Sequence, residues 1–234
     1  MIRKAIDAML AALLALLCVA AQAAPLTVAY YDMLNGQGVA SGGSRNYWDR
    51  AYNGSGNTTQ DGAPLSGGTG DLTDGFISAL NWILVENVAG TGPYVGWLAG
   101  RVTNPVVTFH FGTAAQVDTV TVHMDDSNGT GGVSPPLSID VSLDGIVFTP
   151  HAVVDPAGGA PFALTLPVGA TSEQVFVRFM HRTGWLFVDE VSFEGTASVP
   201  EPGSLALLGL GLAGLAIVFR HRRREPASGR GRLA

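Results

Sequence analysis

The amino-acid sequence predicts an all-β fold, an antiparallel β-sandwich, for the middle of this 234-residue chain. Three observations carry that prediction. Apolar and polar residues alternate with period 2 in one short segment after another from Leu26 onward, turn signals separate the segments, and no amphipathic pattern of ten residues offers a helix. The clearest segments are Val106 to Phe111, Val117 to Met124, Leu137 to Leu143, Phe162 to Leu166, Val175 to Met180 and Trp185 to Phe193. In Ile139-Asp140-Val141-Ser142-Leu143 the apolar set faces one way and the polar set the other, as in a strand with one wet face. Asn128-Gly129, Asp144-Gly145, Gly158-Gly159 and Pro167 to Gly169 are the expected turns. Asn35 to Gly75 is rich in Gly, Ser, Asn and Thr but carries Tyr47, Trp48 and Tyr52, which a pure linker would lack. It reads as long ordered loops with one short strand.

Both ends are addresses rather than fold. Arg3 and Lys4, the apolar run Met9 to Ala20 and the Ala21-Gln22-Ala23 cleavage box define a signal peptide over 1–23, which implies export. The only cysteine, Cys18, lies inside it, so the mature chain has no disulfide. From Ala24 to Val199 there are five arginines and no lysine against sixteen acidic residues, a net charge of -11. Such a surface repels phosphate backbones and argues against nucleic-acid partners, while it suits divalent cations. The β-sandwich ectodomain is expected over 24–196, a terminal segment over 197–224 and a basic tail over 225–234. In that segment Val199-Pro200-Glu201-Pro202 precedes the seventeen uncharged residues Gly203 to Phe219, which as a helix would be about 25 Å long. Arg220, Arg222, Arg223 and Arg224 follow, and the positive-inside rule places them in the cytoplasm and the acidic domain outside.

The order Pro200-Glu201-Pro202, Gly- and Leu-rich helix, arginine cluster resembles the PEP-CTERM sorting signal of Gram-negative bacteria that make extracellular polysaccharide. The resemblance implies a transmembrane anchor in the inner membrane until an exosortase processes it, then a cell-surface or extracellular protein. The extension from Glu225 to Ala234 is longer than such tails usually run.

Inside the domain, three patterns resemble the galactose-binding-like jelly roll of discoidin-type domains and many carbohydrate-binding modules. They are the acidic turn Asp71-Leu72-Thr73-Asp74-Gly75, the hairpin Val141-Ser142-Leu143-Asp144-Gly145 with Phe148, and the closing strand Val188-Asp189-Glu190-Val191-Ser192-Phe193. That resemblance implies a structural calcium ion held by Asp71, Asp74 and a last-strand carboxylate, Glu190. Carboxylates and carbonyls of a tight loop are the donors that hard cations take; an Asx-turn capped by Asp74 is the alternative. Trp97, Arg101, His181, Arg182 and Trp185 are the expected sugar contacts, since a pyranose packs one apolar face on an aromatic ring and needs polar partners for its hydroxyls. Trp185 as a core residue is the alternative.

The remaining polar clusters carry less. Asp125-Asp126-Ser127-Asn128-Gly129 lacks the spacing of an EF-hand and reads as a solvated turn. His110 and His123, expected on neighbouring strands, lack a third ligand for zinc. Gly-x-Ser-x-Gly, His-Glu-x-x-His and a cysteine nucleophile are absent, and Asp189 and Glu190 are expected on opposite strand faces, so the protein is not expected to be an enzyme. The expected function is a surface or matrix protein that binds carbohydrate. The alternatives are a structural matrix protein without a discrete ligand and a secreted hydrolase.

Overall fold

The computed structural model of the chain describes residues 23–38, 43–182 and 184–197. The signal segment and the sorting residues Val199 to Arg224 lie outside the described residues. Among the described residues nine strands run in chain order: β1 (Ala24–Leu26), β2 (Tyr30–Leu34), β3 (Pro64–Gly68), β4 (Val95–Leu98), β5 (Val106–Met124), β6 (Ser138–Ser142), β7 (Thr149–Ala152), β8 (Phe162–Met180) and β9 (Trp185–Ala197). All ladders between them are antiparallel. Among the described residues helix is confined to short turns, including Asp71–Thr73 and Trp82–Val85. The protein is thus an all-β sandwich, and the strand in the Asn35 to Gly75 region is β3.

Two long strands make one hydrogen-bonded sheet fold over its own core. Its main path is β1-β9-β5-β8-β6-β7, with β2 joining β5 and β4 joining β9. The segments Val106 to Phe111 and Val117 to Met124 are one strand, as are Phe162 to Leu166 and Val175 to Met180. β5 and β8 pair from Val106↔Arg178 to Met124↔Phe162. The expected turn at Pro167 to Gly169 is therefore a bend inside β8: Gly169 takes a positive φ of 66° without reversing the chain. Bulges adjust the phase of burial. In β5, Val107, Phe109, Ala115 and Val117 face the core, and beyond the register shift at Asp118 the buried set becomes Val120, Val122 and Met124.

A large apolar cluster fills the sandwich, and a second one, Tyr47, Trp82, Tyr94, Val133 and Phe187, lies under the loops that follow Asp71. Trp97 belongs to the first. It is fully buried, lies 6.0 Å from Phe179 with the rings nearly parallel, and donates from Nε1 to the Leu34 carbonyl at 2.8 Å. Its indole is a structural core element, and no face of it is open to a sugar. Trp97→Ala should cost about 3–5 kcal/mol of stability, the range for truncating a buried Trp or Phe. Chemical denaturation measures this, and a loss below about 1 kcal/mol would contradict the placement.

Candidate functional site

The segment from Asp71 to Val88 is held on the closing strand by two adjacent carboxylates. Across β5 and β9 the register runs His123↔Glu190 and then Met124↔Val188, which leaves Asp189 as an unpaired bulge residue. Strict alternation would send Asp189 and Glu190 to opposite faces. The bulge instead lets both reach the same segment: Asp189 Oδ2 accepts from the Ser78 amide at 2.7 Å and Glu190 Oε2 from the Gly75 amide at 3.0 Å. Asp189 Oδ1 also meets His123 Nδ1 at 2.5 Å.

A second set of anchors fixes the far half of the segment. Asn81 Nδ2 donates to Asp125 Oδ1 at 2.6 Å and to the Asp126 and Gly159 carbonyls. Asp125 and Asp126 are fully buried. Residues 125–127 are therefore an internal anchor and not part of the solvated turn expected from the composition, because Asn81, Ser127 and the Trp82 amide satisfy the Asp125 carboxylate, while Asn128 and Gly129 are exposed. Trp82 itself packs edge-on against Tyr47 and Phe187.

Several carboxyls here are buried with few cations. Burial, helped by the charges of Asp49, Asp74 and Glu86, pushes Asp71 up to about 9. Burial raises Glu86 to about 8, Glu190 to about 7 and Asp49 to about 6. Asp49 is fully buried, and its carboxylate accepts from the Tyr31 hydroxyl and, at 3.1 Å, from the Asp71 amide. Asp71 Oδ2 and Glu86 Oε2 are buried with no hydrogen-bond partner.

Of the expected cation ligands, Asp71 and Asp74 line one open cavity of about 230 Å³ together with Phe76, Thr91, Gly92 and Pro93. Glu190 lies beside this turn through its bond to Gly75. Asp74 is exposed, and its Oδ1 caps the Phe76 amide at 2.8 Å, which is an Asx-turn. Among the described residues no three His, Cys, Asp or Glu side chains are grouped to hold a metal ion. The donors of Asp71 and Asp74 are carboxylate oxygens, the kind a hard cation takes, and Asp71 Oδ2 is buried.

The five expected sugar contacts are neighbours in the fold, but most of their polar atoms serve the backbone. His181 accepts from the Asn104 amide at Nδ1 (3.2 Å) and meets the Trp97 carbonyl at Nε2 (3.1 Å). Burial lowers its pKa and favours this neutral form. Arg182 donates to the Val153, Pro136 and Pro135 carbonyls, tying down the segment before β6. Trp185 is half-buried and meets Tyr47 edge-on at 5.0 Å. Arg101 is exposed. His110 and His123 lie on one strand, β5, not on neighbours; each pairs with an aspartate, Asp32 and Asp189 respectively.

Phe76 and Glu86 were not among the expected site residues. An aromatic directly after Asp74-Gly75 was a usable signal for Phe76; Glu86 ends the apolar run Trp82-Ile83-Leu84-Val85, where nothing local marks it. A larger cavity of about 470 Å³ lies by Leu143, Val147 and His151. It has no aromatic wall, and its carboxylate, Asp144, accepts from the Ile146 and Val147 amides of its own turn.

Residues 198–224 match the PEP-CTERM protein-sorting motif family. No curated protein matches the chain. The structural neighbours of the chain include family 32 carbohydrate-binding modules. One is that of C. perfringens NanJ in complex with galactose, at 10% identity over 43% of this chain and 75% of that one, TM-score 0.31. Another is the CBM32 of AlyQ in complex with 4,5-unsaturated mannuronic acid, at 17% identity, 43% and 75% coverage and TM-score 0.31. Truncated AlyQ with CBM32 and alginate lyase domains matches at 12% identity over 76% of this chain, TM-score 0.39. The chain spans 34% of that protein and 21% of a matched glycoside hydrolase. No helix among the described residues is long and apolar enough to cross a membrane.

The raised carboxyls set the pH dependence of stability. Each has a folded-state value above its ordinary one, so the native state holds protons that the unfolded chain has lost. Their stabilising contribution is complete below about pH 4 and is lost as pH rises through the window up to about 9, where Asp71 titrates last. In chelator, the melting temperature should fall by several degrees between pH 5 and pH 9, and less steeply in Asp71→Asn. A flat or rising thermal profile would contradict the burial of these groups.

Proposed function

We propose that this is an exported, non-catalytic surface or matrix protein whose β-sandwich binds carbohydrate in the cavity beside Phe76. One observation carries the reading: Phe76, 55% exposed, borders an open cavity whose other lining residues include Asp71, Asp74 and Thr91. A pyranose needs an apolar platform for its C–H face and convergent polar groups for its hydroxyls, held in a largely preformed site. The clamp from Asp189 and Glu190 supplies the preformation.

The tail supports the delivery. A PEP-CTERM motif at 198–224, with its apolar run and the cluster Arg220, Arg222, Arg223 and Arg224, fits a chain anchored in the inner membrane until an exosortase processes it, and then released to the surface. An extracellular polysaccharide is the ligand class this route offers. Calcium at the acidic turn, with Asp71, Asp74 and Glu190 as the expected ligands, belongs to the same reading: it would supply local positive charge to an acidic loop. A structural matrix role without a discrete ligand draws on the exposed Ile77, Leu84 and Val88.

Glycan-array screening of the purified protein, including polysaccharide from the producing cells, tests the choice. Retention of at least one glycan is expected, and Phe76→Ala should weaken it about tenfold, on the scale of about 1 kcal/mol or more for losing an aromatic stacking partner. No retention of any glycan, or full retention by Phe76→Ala, would refute this site.

A further inference from the structure

Away from the clamped segment, a row of three side chains crosses the outer face of the sheet. Tyr31, Phe109 and Val175 are buried in the core, so their chain neighbours Tyr30, His110 and Gln174 point outward. The registers Tyr30↔His110 and His110↔Gln174 set these three side by side on β2, β5 and β8. At the usual strand spacing the row is about 10 Å wide. Just beyond it the β5 and β8 ladder breaks between His110 and Ala115, where Gly112 takes a positive φ of 75° and bends β5 away. The break leaves an open recess of about 250 Å³ lined by Tyr30, His110, Gly112, Glu173 and Gln174.

The recess is preformed. The Tyr30 and His110 rings stack with centroids 4.2 Å apart and 15° between their planes. His110 Nε2 lies 2.9 Å from Asp32 Oδ2. An ionised carboxylate only accepts, so Nε2 carries the proton and Nδ1 is the ring's remaining polar atom. Asp32 Oδ1 accepts from the Ser66 hydroxyl at 2.6 Å and from the Gly67 amide at 2.9 Å, which fixes the imidazole from β3 as well as β2. Tyr30 and Gln174 are half-buried and Glu173 is exposed.

These groups name the ligand class. A fixed aromatic plate beside an imidazole, a carboxylate and a carboxamide offers an apolar surface together with donors and acceptors, which is what the C–H face and hydroxyls of a pyranose need. A metal ion is ill served, because Asp32 is already committed and no group of three His, Cys, Asp or Glu side chains occurs among the described residues. The lining holds no Arg or Lys, which disfavours phosphate groups. The recess shares no lining residue with the Phe76 cavity. That cavity belongs to the half of β5 that pairs with β9 at His123↔Glu190, whereas the recess lies across the Gly112 bend on the half that pairs with β2.

We propose that the Tyr30 and His110 recess is a second carbohydrate site, independent of the Phe76 cavity. With both sites filled, one molecule holds two polysaccharide segments and cross-links them; that consequence alone rests on the Phe76 reading.

The test uses full-length protein and polysaccharide from the producing cells, with retention on the immobilised polymer and light scattering of the free mixture as readouts. Wild type should be retained and should raise scattering, since a protein with one site cannot join two chains. Tyr30→Ala should weaken retention about tenfold by removing the stacking ring, and should abolish the rise in scattering. Gln174→Ala removes a polar contact and no ring; it should lower both readouts and serves if Tyr30→Ala does not fold. Wild-type retention and scattering in both variants, or no retention of the polysaccharide by wild type, would overturn the second site. Unaffected Tyr30→Ala and Gln174→Ala beside a weakened Phe76→Ala would leave the Phe76 reading standing alone. An unaffected Phe76→Ala beside a weakened Tyr30→Ala would leave only the second site. Retention weakened by each change without any scattering in wild type would refute the cross-linking.

Discussion

Asp189 and Glu190, adjacent on the closing strand, hold the Ser78 and Gly75 amides and so fix the segment that carries Asp71, Asp74, Phe76 and Glu86. An ordered loop of this length costs on the order of 1–2 kcal/mol per residue in backbone entropy, and hydrogen bonds to charged acceptors are among the stronger ways to offset it. The geometry depends on one extra residue in β9. With regular pairing only one carboxylate would face the loop, and the other would sit on the opposite face of the sheet. Trp82, Tyr47 and Phe187 then continue from the clamp as a second core, so the loop is an extension of the sandwich rather than an appendage to it.

The same arrangement concentrates carboxyl groups. Asp49, Asp71, Glu86, Asp125, Asp126, Asp189 and Glu190 are all buried, in a domain that has no lysine. Amides, hydroxyls and Asn81 satisfy many of their oxygens, and His123 satisfies one of Asp189. A few remain without partners near the cavity. Local order and ligand chemistry are thus coupled: the groups that tie the loop down are of the same kind as those that would take a cation or a sugar hydroxyl.

Much of the fold was legible because alternation is a direct record of which face is wet. Ile139 and Val141 are buried as the pattern requires, but the expected wet face is not wet: Asp140 and Ser142 are buried too, Asp140 accepting from Arg178, and Leu143 is exposed. What alternation cannot record is a change of phase. The bends in β5 and β8 join segments that read as separate strands, and Pro167 to Gly169 has turn chemistry without a turn because β8 stays paired with β5 on both sides of it. The site was less legible for the same reason. A bulge at Asp189 overrides the period-2 rule, and the burial of Trp97 and the backbone contacts of His181 and Arg182 follow from long-range packing that no local motif encodes. Asp71 and Asp74 could be read from their turn; Glu86 could not, since only the fold brings Gly92 and Tyr94 against it.

The central claim is that the closing strand's paired carboxylates order the loop that carries the site. Amide hydrogen exchange followed by NMR tests it most directly, at Gly75 and Ser78. Both amides should exchange slowly, with protection approaching that of the β5 and β9 ladder, and Asp189→Ala should release Ser78 to near loop rates while the β5·β8 ladder stays protected. Fast exchange at both positions in the wild-type protein would contradict the account.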